Sequence, residues 1–437
     1  MRVLILAHRF GPHGTGGVER WTEQLSSELA ALGETVFVLA RDDRDPPGGP
    51  AFSVVEEARG ERRVYWVRHR HQDARTFRDT WADPRMEEAV ARVAACVRAD
   101  VLHLAHPDGF GIAPLRVARR LGVPLVVTLH DPKWLCARGQ LVRPDGTVCD
   151  RADEEACVRC VGSALGRGPV RGWLDRSPLG PTLRGMKSGG LGGDPGATAR
   201  RRWRARQAGL KTVLDGADLV LSPSADLARR VAEYGVQRPI RVFPNPSPEG
   251  DRRELPPWPL RVGWFGVPHP TKGLDLLVEA CSAAGVQLDV HGPLSKAQAD
   301  AARARGATVR GAYEADSVGE LMGAVHVVAL PSLWPENQPL VALEARAAGR
   351  PLLVSDLGGL PELVQDGVDG WIAPAADVEA WTRRLRTLDE AQVKSAAAAS
   401  RPGWSPREHA LAHAELVRGL LRGALPAIDP ESLRASQ

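Results

Sequence analysis

Two successive series of short apolar runs, each followed by residues at helical spacing, constrain this chain more than any other feature. In the first series Val3–Ala7, Thr35–Ala40, Arg63–Val67, Asp100–Ala105, Pro124–Leu129, Asp218–Ser222 and Ile240–Pro244 read as strands. Between them Val18, Trp21, Leu25, Leu29 and Leu32, then Met86, Val90, Val93 and Val97, then Ile112, Leu115, Ala118 and Leu121 recur at helical spacing. The second series has strands at Leu260–Phe265, Gln287–His291, Thr308–Arg310, Val325–Leu330, Pro351–Ser355 and Trp371–Ala373, with helices between them such as Leu274, Leu277, Val278 and Cys281. A β-α-β rhythm demands a parallel sheet covered by helices on both faces. The predicted fold class is therefore α/β, with two Rossmann-like domains, and 437 residues are the right length for two cores of roughly 200 residues.

The predicted boundaries are a first domain over 1–245, a Pro-, Glu- and Arg-rich linker over 246–259, a second domain over 260–403, and a last helix with tail over 404–437. The first rhythm breaks over about 131–199. This insertion holds four cysteines and then a Gly-, Pro- and Arg-rich run. In open α/β sheets ligands bind outside the carboxyl ends of the strands, so function belongs in the loops that follow strands.

Composition excludes several classes. Hydrophobic residues make up 43% and charged residues 25%, as in ordinary globular chains. The net charge of +4 is no signature of a nucleic-acid binder. No apolar run reaches spanning length, and Val3–Ala7 is too short for a signal-peptide core. A cytoplasmic location with reduced thiols is expected, with contact to the inner membrane face as an option. Cys96 and Cys281, on apolar helical stripes, are expected in the core.

Three loops carry candidate chemistry. After the first strand, Gly16 and Gly17 stand just before a helix, where a backbone can approach a phosphate closely. After the first strand of the second series comes Lys272-Gly273, which adds a full charge to a helix start and suits a pyrophosphate. The third loop is Leu330-Pro-Ser-Leu-Trp-Pro-Glu336-Asn337-Gln338-Pro-Leu340-Val-Ala-Leu-Glu344. A carboxylate at Glu344 can accept two hydrogen bonds from a vicinal diol such as a ribose, and Glu336 would meet the other half of the same ligand.

That third segment resembles the Glu-x7-Glu signature of the retaining glycosyltransferases of family 4, of the GT-B fold. The likeness runs on through Ser355-Asp-Leu-Gly-Gly-Leu-Pro-Glu362 to Gly370-Trp. It also takes in Gly16-Gly17-Val-Glu, Val-Thr-Leu-His130, Pro244-Asn245 and Lys272-Gly273. The resemblance implies two domains facing each other across a cleft, a nucleotide diphosphate sugar as donor, and a sugar, lipid-linked or small-molecule hydroxyl as acceptor, in surface-glycan or polysaccharide biosynthesis. It implies that the first domain binds the acceptor and the second the donor, that the last helix, within 404–437, crosses back to the first domain, and that Glu344 holds the ribose and Lys272 the diphosphate. Glu336, with Asn337, Gln338 and Leu340, would surround the transferred sugar, Gly16 and Gly17 would meet donor phosphates, and His130 would stand at the reaction centre. His130, Glu336 and Lys272 form the candidate catalytic set, with no catalytic metal required. His103 and His106, at the preceding strand end, are candidates for the same crevice. One position departs from the family, whose members carry an Arg where this chain has Val267; His269 is a candidate replacement. A nucleotide-sugar epimerase and a non-catalytic binding protein of the same fold are the alternatives.

Two features lie outside that resemblance. Cys136, Cys149, Cys157 and Cys160 flank a predicted Pro-Asp-Gly hairpin and form a compact pair. This spacing suits a structural tetrahedral zinc, with an iron–sulfur cluster or redox thiols as alternatives. The segment 200–206, Arg-Arg-Arg-Trp-Arg-Ala-Arg, has the composition of a helix resting on an anionic membrane or of a solvated basic helix.

Overall fold

A computed structural model describes residues 1–11, 16–44, 49–70, 73–149, 153–162, 196–250 and 252–425. Most of the Gly-, Pro- and Arg-rich run in the insertion lies outside these residues. The chain divides into two compact units. Among the described residues, unit 1 holds those within 1–222, 228–242 and 413–425, and unit 2 those within 223–227 and 243–412.

In unit 1, the strands are β1 (Arg2–Ala7), β2 (Thr35–Asp42), β3 (Val54–Arg59), β4 (Arg62–Arg68), β5 (Val101–Leu104), β6 (Leu125–Thr128), β7 (Leu219–Ser222) and β8 (Ile240–Val242). They form one sheet in the order β3-β4-β2-β1-β5-β6-β7-β8. Every neighbouring pair is parallel except the edge hairpin β3–β4. Helices α1 (Gly17–Ala31), α2 (Pro84–Cys96), α3 (Ala113–Leu121), α4 (Glu154–Cys160) and α5 (Ala197–Gly216) belong to this unit. Strands β1, β5 and β6 are buried almost throughout, which fits their continuous apolar runs. Helix α2 begins on Asp83, whose side chain accepts from the Arg85 N–H, with Pro84 in the first turn.

Helix α6 (Ala225–Glu233) begins in unit 2 and ends in unit 1. In unit 2, β9 (Arg261–Phe265), β10 (Gln287–His291), β11 (Thr308–Gly311), β12 (Val327–Leu330), β13 (Leu352–Ser355) and β14 (Gly370–Ala373) pair in the order β11-β10-β9-β12-β13-β14, all parallel. Helices α7 (Leu274–Ala284), α8 (Lys296–Ala304), α9 (Val318–Gly323), α10 (Leu340–Ala347), α11 (Val378–Thr387) and α12 (Glu390–Ala399) alternate with the strands. Two apolar clusters fill this unit, one around Trp264, Leu277 and Trp381, the other around Met322, Val328 and Leu343. The fold class is thus the one the sequence predicts.

Two particulars differ from expectation. Strand β3 is absent from the sequence reading because its residues, VVEEAR, are half-buried or exposed and lack an apolar face. Cys96 is exposed, at the end of α2, whereas Cys281 is buried as expected. The segment expected as a linker, 246–259, is exposed at residues 249–250, 252–254 and 257–259, but parts of its backbone are tied down. Arg350, fully buried, donates to the carbonyls of Arg253 and Glu254, and the Ser247 N–H donates to the Trp404 carbonyl over 2.8 Å. A buried guanidinium holds its place only when its donors are met, so a polar, Pro-rich sequence is fixed by carbonyls. The last helix, α13 (Pro406–Leu421), is shared: residues up to 412 group with unit 2 and those from His413 with unit 1. There His413 stacks on His103, rings 4.9 Å apart, and Arg418 pairs with Glu34.

Candidate active site

In unit 2 the candidate residues gather at the carboxyl ends of β9 and β12, neighbours in the sheet. The chain leaves β9 through a turn at Pro270–Lys272, and Gly273 then starts α7 with φ +66°. A Cβ at Gly273 would lie 1.8 Å from the Pro331 carbonyl oxygen, so both conformation and space require glycine. That close approach brings Lys272 against the loop after β12. Its Nζ lies 2.5 Å from Glu336 Oε1 and 5.6 Å from the Trp334 ring centre. The same oxygen accepts from Ser332 Oγ and Trp334 Nε1, each at 3.0 Å. The expected phosphate-binding lysine and the expected sugar-facing carboxylate are therefore ion-paired.

The next two residues are tied to neighbouring segments. The Ser224 hydroxyl donates to Asn337 Oδ1 over 2.5 Å. Gln338 Oε1 accepts from the Asn245 backbone N–H over 2.5 Å, and its carbonyl accepts from the Asn245 side chain over 3.2 Å. Asn245 is thus an anchor for the Gln338 segment. Leu340 opens α10, and Glu344 follows one turn later, 3% exposed. Over this loop lie Gly358 and Gly359. The Gly359 N–H donates to the Glu336 carbonyl over 2.7 Å, and a Cβ at Gly358 would lie 2.2 Å from that same oxygen. Gly358 also has φ +63°, so no other residue fits. Val267 is 68% exposed, and His269 caps the Pro270–Lys272 turn through Thr271, which its Nδ1 meets at 2.7 Å.

In unit 1 three adjacent strands, β1, β5 and β6, deliver His8, His106, His130 and Asp131 to one end of the sheet. His130 is buried against Trp21, ring centres 4.3 Å apart. Burial first, and the neighbouring His106 second, push its pKa down to about 3, so it is a neutral imidazole at neutral pH. His106 Nε2 lies 2.9 Å from Asp131 Oδ2, and its Nδ1 accepts the Asp108 N–H over 3.1 Å. Despite burial, the charge and hydrogen bond of His106 hold the Asp131 carboxyl below its ordinary value. His103 is buried within β5 and bonds Thr128 through Nε2 at 2.8 Å, so it supports the sheet interior. Gly16 and Gly17 open α1, whose first turn carries the buried Glu19. Sequence reasoning passed over His8, Glu19 and Asp131. The Gly16-Gly17-Val-Glu spelling contained the signal, read there for its glycines alone.

The four cysteines come together. Cys136, Cys149, Cys157 and Cys160 line one cavity of about 30 Å³, each as a free thiol. The predicted hairpin forms, with Val142 bridged to Val148. Among the described residues, no group of three His, Cys, Asp or Glu side chains is arranged to hold a metal ion as it stands. Trp203, expected beside exposed arginines at a membrane, is instead 3% exposed and packs with Phe77 and Val158. Arg206 is likewise buried and donates to the Lys133 carbonyl over 3.0 Å. The helix spends its aromatic residue on the protein interior, which removes the apolar half of the expected membrane contact. No helix among the described residues is long and apolar enough to cross a membrane.

Two Rossmann-like units of this kind define the GT-B fold of the glycosyltransferases. Solved structures similar to this chain include the sucrose-phosphate synthase of Thermosynechococcus elongatus, at 18% identity and TM-score 0.61 over 97% of this chain and all of that one. The Anabaena protein HepE in complex with UDP and glucose is another, at 15% identity and TM-score 0.57 over 95% of this chain and 99% of that one. Residues 16–246 match the family described as glycosyl transferase 4-like domain, and residues 259–390 match glycosyl transferases group 1. The chain belongs to the glycosyl transferase 4-like family. Among curated relatives, a D-inositol 3-phosphate glycosyltransferase of Mycolicibacterium paratuberculosis is 31% identical over 45% of this chain and 50% of its own length. This chain thus spans about half the length of that relative. One of the same description from Frankia alni is 26% identical over 97% of both chains.

Proposed function

We propose that this glycosyltransferase moves a sugar from a nucleoside diphosphate sugar to a hydroxyl, with retention at the anomeric carbon. The observation that carries the donor half is the Lys272–Glu336 pair at the ends of β9 and β12, with Gly358 and Gly359 against the Glu336 carbonyl and Glu344 buried in the following helix α10. Glu344 would accept from the ribose hydroxyls and Lys272 would meet the diphosphate, whose negative charge grows as the bond to the sugar breaks. Attack on the face the diphosphate leaves would preserve configuration, and Glu336 would turn from Lys272 toward the sugar. His130, a neutral imidazole, would donate or accept a hydrogen bond at the transferred sugar. No catalytic metal enters this reading.

Unit 1 would hold the acceptor, on the strand ends that carry His8, His106 and Asp131. The names of the relatives make D-inositol 3-phosphate the first acceptor to try, ahead of the surface-glycan precursors that the sequence suggests. We place the reaction in the cytoplasm. A structural zinc on the four converging cysteines belongs to the same proposal; binding would draw the sulfurs inward across their cavity.

The test is a matrix of UDP-, GDP-, ADP- and TDP-sugars against D-inositol 3-phosphate, unphosphorylated inositol and lipid-linked sugars. Formation of an α-linked product from an α-linked donor supports the proposal. A β-linked product from that donor overturns retention, and an epimerised nucleotide sugar overturns transfer. Product with unphosphorylated inositol alone removes the phosphate-bearing acceptor.

A further inference from the structure

We infer that Arg138, Arg143 and Arg206 supply the counter-charge of a four-thiolate zinc centre in unit 1. The inference rests on the zinc reading above and says how the fold accommodates the charge of that centre. Each thiol gives its proton to solvent as the metal binds, and a zinc ion on four thiolates is a dianion. A dianion partly enclosed by protein is stable only with cations beside it.

Two of the three arginines stand at the rim. Cys136, Cys149, Cys157 and Cys160 share their cavity with Arg138, Arg143 and Trp203. The Arg143 side chain meets Cys149 and that of Arg138 meets Cys160, each through a hydrogen bond and its charge. Local structure sets both contacts. In the hairpin, the Arg143 N–H donates to the Thr147 carbonyl over 2.8 Å and the Cys149 N–H to the Leu141 carbonyl over 2.7 Å, so Arg143 and Cys149 stay close. A turn closed by the Gly139 N–H on the Cys136 carbonyl, 3.0 Å, keeps Arg138 beside the first cysteine. Asp153 also lines the cavity, but its carboxylate caps α4 by accepting the Ala156 N–H over 2.8 Å.

The third arginine comes from within. Arg206, on α5, is 5% exposed, and the partners of its N–H groups are neutral. They are the Gln207 amide oxygen at 2.5 Å and the Lys133 carbonyl at 3.0 Å. Among the described residues no carboxylate forms an ion pair with it. The Trp203 ring, 5.7 Å away, is a weak partner for its charge. Carbonyl groups satisfy donors but do not neutralise a guanidinium, which stays charged even when buried. Cys136 is the group whose negative charge would act on Arg206 most, with Asp108, Tyr234 and Cys157 after it. As a thiol Cys136 offers no charge; as a zinc thiolate it is the missing anion. The two are held by one turn: the Cys136 N–H bonds the Pro132 carbonyl over 2.7 Å, and Arg206 and Gln207 bond the carbonyls of Lys133 and Leu135.

The test is the zinc affinity of the full chain, read by competition with a chromophoric chelator at one pH with a phosphine reductant. Arg206→Met keeps the length and removes the charge. It should bind zinc about 10- to 100-fold more weakly, the range for losing an outer partner of a metal site. Arg138→Gln with Arg143→Gln should weaken zinc about tenfold together, because water screens exposed charges. Arg138→Lys with Arg143→Lys restores the charge and should return the affinity to within about twofold of wild type, a rescue that a purely steric role would not give. The rise in unfolding temperature on adding zinc should shrink in Arg206→Met, since binding to the folded state alone sets that rise. Zinc-loaded wild type with every variant within twofold of it overturns the inference and leaves the zinc standing. If Arg206→Met fails to fold, the paired rim variants decide by the same criterion. Wild type that takes up no zinc when offered it defeats the zinc reading, and the counter-charge falls with it.

Discussion

On the proposed reading Lys272 would meet its ligand already engaged, because Glu336 sits on its ammonium. A diphosphate bound there would have to compete with that carboxylate, so Glu336→Gln should tighten nucleoside diphosphate binding several-fold while turnover falls. Titration calorimetry beside a turnover assay reads both, and weaker binding would remove the competition. Lys272→Ala should act oppositely, costing the nucleoside diphosphate at least tenfold and the free nucleoside little, as one charge-assisted bond of about 1.5–3 kcal/mol implies. Both residues were legible in the sequence, each after an apolar strand. Their pairing was not, because 64 positions separate them and the two loops meet only in the fold, through the Leu333 N–H to the Thr271 carbonyl and the approach of Gly273 to Pro331. His8 was hidden for a different reason: nothing in its local sequence indicates that a helix-borne carboxylate eleven positions on will claim one of its nitrogens.

At the scale of elements, buried parallel strands gave themselves away by continuous apolar runs, whereas β3 and the short helix α4 did not. Helix α4 has seven residues and one buried side chain, Val158. So small an element holds its place by tethers more than by its own propensity. Cys157 and Cys160 sit on it and share a cavity with Cys136 and Cys149. If zinc is the tether, purified protein should carry about one zinc per chain, and chelation should lower the unfolding temperature while donor affinity in unit 2 stays within twofold. Metal analysis with thiol counting in denaturant decides this; four free thiols and no metal would remove zinc. Burial pushes the Cys157 thiol up to about 12, with the three neighbouring thiols adding to the effect, so without a cation Cys157 is a poor nucleophile.

Across the whole molecule, acid should be the weak point. His130 and His413 are enclosed as neutral rings, and burial lowers them to about 3 and about 4 from the ordinary 6.5. The unfolded chain takes up those protons first, so stability is intact above pH 6.5 and drains away as pH falls toward 4, by a few kcal/mol per ring. Denaturant titrations across that range should show the decline, and His413→Phe, which keeps the stack on His103, should flatten it; an unchanged slope would clear His413 of any part. The alternation of the sequence made both sheets readable, whereas the return of the last helix to the first domain was an expectation from the family resemblance and not from the alternation. Glu34, just before β2, takes its partner from Arg418, 384 residues later. At translation rates of about 5–20 residues per second, roughly 20–80 s separate the two syntheses. For that interval the nascent first sheet lacks the helix end that stacks on His103 and pairs with Glu34, and a chaperone binding there would compete with it.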